Sequence, residues 1–166
     1  MKDIDMVNIT VDKDLDALTL TVVATFDHPV DKVWDLYADP RKLERWWGPP
    51  GYPATVTVHE LSPGGMVRYF MTSPEGEKYY GMWNVKSVEP GRSFVVEDLF
   101  ADDTGAPNTA LPSTMITFDF AATESGSLMT SVSTYSTLEG LEQVLSMGVV
   151  EGLQGAMSQM EAILAE

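Results

Sequence analysis

From Leu15 to Ser136 the chain alternates between two kinds of segment. Runs rich in Val, Thr and aromatic residues are punctuated by tight clusters of turn formers. The clusters are Ser62-Pro63-Gly64-Gly65, Ser73-Pro74-Glu75-Gly76, Glu89-Pro90-Gly91-Arg92 and Glu124-Ser125-Gly126. Strand-like runs joined by turns this short favour an antiparallel meander. The runs are Leu15–Phe26, Ala54–Leu61, Met66–Thr72, Lys78–Val88, Ser93–Phe100, Thr114–Thr123 and Ser127–Ser136, which predicts a sheet of six or seven strands. A loop from Ala101 to Ser113, with two Pro and a Gly, separates the fifth and sixth of them.

Helical spacing occurs in two places. After the first strand, Val30, Val33, Trp34 and Tyr37 recur at i, i+3, i+4, i+7 behind Pro29, the pattern of a short amphipathic helix. A second short helix runs from Asp39-Pro40 to about Trp46, with Asp39 as cap and Gly48-Pro49-Pro50-Gly51 as stop. The tail from Leu138 to Glu166 lacks Pro and carries a stripe through Leu141, Leu145, Gly148, Gly152, Ala156, Met160 and Ile163. Read as one continuous helix of roughly 28 residues, it would be about 42 Å long and would cross a whole sheet. The predicted class is α+β, with helices on one face of a curved antiparallel sheet and residues 1–166 in a single domain.

Composition narrows the function. Ten Lys and Arg against 25 Asp and Glu give a formal net charge of −15. Phosphate backbones and anionic membrane surfaces repel such a chain, so neither nucleic acid nor membrane is an expected partner. Without cysteine there is no disulfide framework, thiolate metal site or Cys nucleophile. The charged start, Met1-Lys2-Asp3-Ile4-Asp5, does not resemble a signal peptide, and the expectation is a cytoplasmic protein.

Four segments, in order, resemble the helix-grip (START-like, SRPBCC) superfamily and, within it, the branch of the activator of heat-shock-protein ATPase, Aha-type. They are Pro29-Val30-Asp31-Lys32-Val33-Trp34-Asp35; Asp39-Pro40 with Leu43 and Trp46-Trp47-Gly48-Pro49; Pro63-Gly64-Gly65 with Arg68-Tyr69, Pro74-Glu75-Gly76 and Gly81-Met82-Trp83; and Met147 to Gly152 with Met160 to Leu164. The resemblance covers about Leu15 to Ala165. It implies a cavity between the long helix and the sheet. Three functions are compatible with it: a binding module for a small apolar or aromatic molecule, a cyclase- or aromatase-like enzyme, and a chaperone-interacting stress protein. Aha-type co-chaperones carry a separate N-terminal domain, which is not expected in a chain of this length, and many relatives have Trp where Leu153 stands. Homodimer formation stays open.

Chemistry legible in the residues is sparse. His28 and His59 fit no metal-ligand spacing, no G-x-S-x-G elbow occurs, and no Gly-rich phosphate loop precedes a helix, so neither cofactor nor metal is expected. Arg68 and Glu97 fall on neighbouring middle strands, either as an exposed cross-strand pair or as polar anchors or acid–base groups. Asp12-Lys13-Asp14 and Asp102-Asp103 read as solvated loop ends. The glycines of the tail either thin the helix over a cavity or permit close helix–sheet contact. The many Met and aromatic residues either fill an ordinary core or line an adaptable pocket. The candidate ligand-binding set is Trp46, Tyr69, Met71, Trp83, Phe118, Phe120, Tyr135, Gly152, Ala156 and Met160.

Overall fold

The computed structural model describes residues 8–166; the stretch Met1 to Asp5, discussed above for its lack of leader character, lies outside them. Eight strands form one antiparallel sheet: β1 (Asn8–Asp14), β2 (Thr19–Phe26), β3 (Ala54–His59), β4 (Met66–Thr72), β5 (Lys78–Glu89), β6 (Ser93–Ala101), β7 (Thr114–Ala122) and β8 (Ser127–Tyr135). Their spatial order is β1-β2-β8-β7-β6-β5-β4-β3. After β2, helices α1 (Val30–Ala38) and α2 (Pro40–Trp47) carry the chain to the far edge of the sheet. From there β3 to β8 return as a meander until β8 pairs with β2. Bulges between Val56 and Val58 and between Val85 and Ser87 bend the strands they interrupt.

The strand count exceeds the expected six or seven because Leu15 opens a turn, not a strand. The Asp14 side chain accepts from Asp16 N at 3.0 Å and Ala17 N at 2.9 Å, and Leu18 adopts a positive φ of 60°. The chain folds back there, so β1 and β2 are a hairpin. Asp12-Lys13-Asp14, expected in a loop, lies on the exposed edge strand, where charge discourages pairing with another chain.

The tail is helical but not one helix. It divides into α3 (Leu138–Ser146), α4 (Val149–Met157) and α5 (Met160–Leu164). Gly148 sits in the left-handed region at φ +83°, which only glycine adopts without cost, and it redirects the axis between α3 and α4. The interruption at Ser158-Gln159 is milder, since both residues keep right-handed helical dihedrals.

All helices described lie against one face of the sheet. Trp46, 1% exposed, ties the two short helices together by donating Nε1–H to the Leu36 carbonyl at 2.8 Å. Asp39 caps α2 by accepting from Arg41 N, as expected from Asp39-Pro40. In α1 the buried residues are Val33, Leu36 and Tyr37, while Val30 and Trp34 are partly buried at the core's margin. Trp34 meets Phe120 and Phe94 edge-on with centroids 5.3 and 5.8 Å apart, and Phe94 stacks on Phe118 at 4.5 Å. This aromatic mass fills the space between sheet and helices beneath α1.

Candidate functional site

Beneath α3 and α4 the same space is not filled. A cavity of about 330 Å³ lies there, between the inner face of the sheet and the helices. Its origin is local and visible residue by residue. Strand β8 turns Met129, Ser131, Ser133 and Tyr135 inward by period-2 alternation. Ser131 stands between Val22 and Phe118, and Ser133 between Leu20 and Ile116, on the flanking strands. Two small side chains therefore occupy a central strand where Val or Leu would close the core. Above them, Gly152 of α4 lines the cavity, and a Cβ built on it would meet nothing within 4 Å. Met147, 53% exposed at the break between α3 and α4, also belongs to the lining and marks its outer margin.

Of the four glycines in the tail, Gly148, Gly152 and Gly155 have three different reasons. Gly148 supplies a left-handed turn, and Gly152 leaves open space over the cavity. Gly155 permits close contact, since an added Cβ would lie 3.3 Å from Pro50 Cδ.

Six of the ten candidate residues are brought together around the cavity: Trp46, Met71, Phe118, Tyr135, Gly152 and Ala156. The other four are placed elsewhere. Phe120 faces Trp34 and Tyr37 in the filled part of the core, and Met160 is fully buried in the same cluster. Trp83 is buried behind Trp47, 5.1 Å away edge-on. Tyr69 stands outside the cavity lining but reaches one of its members, Asp98. Trp46 and Trp47 divide as their adjacency requires: the first is core, the second is half-buried, and both present ring surface to the cavity.

Asp98 is the group the motif reading missed. On β6 it follows Phe94 and Val96 in the inward series, and it lines the cavity with Phe100. Its neighbours across the sheet form a polar row, with Thr114 directly opposite on β7 and Tyr135 beyond it on β8. Tyr69 Oη donates to Asp98 Oδ1 at 3.4 Å. To do so its phenol crosses β5 above Gly81, where an added Cβ would fall 2.4 Å from Oη. Burial pushes the Asp98 carboxyl up to about 7, partly opposed by the Tyr69 hydroxyl bond. Burial and the nearby Asp98 charge together hold the Tyr69 phenol well above its ordinary value. Tyr135 is raised by burial first, with Thr114 opposing and Asp98 adding to the rise.

Neither Arg68 nor Glu97 takes the role expected for an exposed cross-strand pair. They lie two strands apart, on β4 and β6 with β5 between, so they cannot be directly opposite. Glu97 faces outward beside Lys86 at 3.8 Å, and Arg68 lies beside Gly105 of the long loop. The histidines act as ties between elements. His28 Nε2 is 2.9 Å from Glu161 of α5, and His59 Nε2 lies 3.0 Å from the Tyr37 carbonyl oxygen. Asp102 does end a strand as a solvated turn, accepting from Thr104 N and Ala106 N. Among the described residues no helix is long and apolar enough to cross a membrane.

An antiparallel sheet gripped on one face by a C-terminal helical segment, with a cavity between them, defines the helix-grip class. Within it, the sequence profile of the family described as "Activator of Hsp90 ATPase homolog 1-like protein" matches residues 27–165, and the chain belongs to that family. Protein Ms6760 from Mycobacterium smegmatis is similar at 49% identity over 95% of this chain and 97% of its own, with a TM-score of 0.88. A protein from Arthrobacter aurescens is similar at 41% identity, covering 94% of this chain and 91% of its own, with a TM-score of 0.89. An AHSA1 protein from Silicibacter pomeroyi shares the fold at 20% identity over 89% of this chain and 97% of its own, with a TM-score of 0.70. Among curated proteins none matches this chain.

Proposed function

We propose that this protein is a binding module that holds one small apolar or aromatic molecule between the sheet and helices α3 and α4. One observation carries the reading: about 330 Å³ of largely apolar space stands beneath Gly152, over the inward serines of β8. An unfilled apolar volume of this size costs stability, because its lining loses dispersion contacts. It lies at the small end of the range of about 300–1,000 Å³ usual for ligand pockets, which suits a molecule of two or three fused rings. Titration with N-phenyl-1-naphthylamine, an uncharged dye that brightens in apolar surroundings, tests it. A saturable rise at one equivalent is the expected result. A folded protein that gives no rise overturns the reading.

A second reading, a cyclase- or aromatase-like enzyme, draws on Asp98. A carboxyl raised to about 7 in a cavity wall is poised to give and take protons near neutral pH. If it does so, the methyl protons of bound 2-acetylnaphthalene exchange with D₂O faster in the wild type than in Asp98→Asn. Equal exchange rates leave the binding module alone.

A further inference from the structure

Resting on the binding reading, we propose that the occupant is an uncharged molecule whose carbonyl-type oxygen accepts a hydrogen bond from Asp98, and that carboxylates are turned away. Among the described residues, the cavity lining holds a single carboxyl group, Asp98, and no Lys, Arg or His. The groups set around that carboxyl are Tyr69 of β4, Trp83 of β5, Thr114 of β7 and Tyr135 of β8, with Trp47 of α2 packed edge-on against Tyr69 and Trp83. None is a cation. The cations of the adjoining strands belong to the other face, with Arg68 beside Gly105, Lys86 beside Glu97 and Lys78 over the Phe70 ring.

An anionic ligand would thus enter an apolar cavity beside an acid, with no positive partner to offset its lost hydration. A neutral acceptor meets a different surface. Oδ1 of Asp98 already accepts from Tyr69, which leaves Oδ2 to carry the proton and donate it to an oxygen in the cavity. Burial, which holds the carboxyl toward its protonated form up to about pH 7, supports this arrangement. The rest of the lining offers rings, aliphatic groups and small hydroxyls, so the acceptor is one polar point on an otherwise apolar body.

Three naphthalenes of nearly one shape test the proposal: 2-acetylnaphthalene, 2-ethylnaphthalene and 2-naphthoate, titrated against the wild type and Asp98→Asn. At pH 5.5 the ketone is expected to bind the wild type about three- to tenfold more tightly than the hydrocarbon, the worth of one net hydrogen bond. That preference should fade toward unity at pH 9. In Asp98→Asn, whose amide still donates, it should persist with no pH dependence. At pH 7.5 naphthoate should bind more weakly than either neutral compound. Equal binding of ketone and hydrocarbon at pH 5.5, or naphthoate binding tighter than both at pH 7.5, overturns the assignment while leaving the cavity a binding site. Failure of all three to bind at any pH overturns the binding reading itself.

Discussion

The hydroxyl of Tyr69 reaches Asp98 Oδ1 at 3.4 Å across strand β5, and it can do so only because residue 81 has no side chain. Three strands are coupled by that arrangement: β4 supplies the phenol, β5 the gap and β6 the acid. The polar end of the cavity is therefore set by a glycine that does not line it.

Gly81→Ala should uncouple them. A Cβ 2.4 Å from the Tyr69 oxygen displaces the ring, at a cost of about 1–3 kcal/mol for overfilling a well-ordered site. Asp98 would lose the hydroxyl bond that holds its pKa down, so its carboxyl should titrate above its wild-type value. Carbon-detected NMR of the Asp98 carboxyl reports the titration, and urea denaturation reports the stability.

Stability should depend on pH through the same group. Asp98 binds its proton more tightly in the folded state, about 7, than at its ordinary value of 3.8. Between these values the folded chain holds more protons than the unfolded one, so the contribution of Asp98 to stability falls as pH rises from about 4 to about 7. At 1.36 kcal/mol per pKa unit this would amount to about 4 kcal/mol, an upper bound, because Asp98 is only partly buried and water reaching the cavity solvates its carboxylate. Urea melts of the wild type and Asp98→Asn across pH 4–8 isolate the effect. The difference between them should shift in favour of the variant as pH rises, and a constant difference would contradict the burial of this acid.

Gly148, Gly152 and Gly155 of the tail should respond to alanine in three ways. Gly152→Ala places a methyl in open space within a helix and should stabilise by up to about 1 kcal/mol. Gly155→Ala should gain less, because its Cβ must press on Pro50 at 3.3 Å. Gly148→Ala should cost about 1–2 kcal/mol, the strain of a left-handed residue with a side chain. Thermal denaturation of the three variants gives the ranking.

Much of this architecture was legible because punctuation residues marked it. Asp39-Pro40 and Gly48-Pro49-Pro50-Gly51 fix the ends of α2, and Pro-Gly clusters separate the middle strands. Where the punctuation was ambiguous, the reading failed. Gly148 in a Pro-free periodic run looks the same whether it is tolerated in a helix or ends one, and only its left-handed backbone decides. The turn at Leu15 was hidden by apolar residues; its signal was the Asp14 side chain, which accepts from the next residues' amides.

At the site, residue type alone could not divide cavity from core. Phe118 lines the cavity and Phe120, two positions on, packs against Trp34, a distinction made by the helix above them and not by the strand. Ser131, Ser133 and Asp98 were findable. Strict alternation turns Ser131 and Ser133 inward with Met129 and Tyr135, and Asp98 inward with Phe94 and Val96, while Glu97 beside it points to solvent. Polar residues in an inward series are the signal that a core is incomplete by design.

Filling the space beneath Gly152 tells a binding cavity from a packed core. Gly152→Trp should keep the wild-type circular dichroism, melt at the same temperature or slightly higher because Trp is the better helix residue, and bind N-phenyl-1-naphthylamine at least about tenfold more weakly than the wild type. A variant destabilised by about 1–3 kcal/mol or more, beside a wild type that binds no dye, would contradict the account.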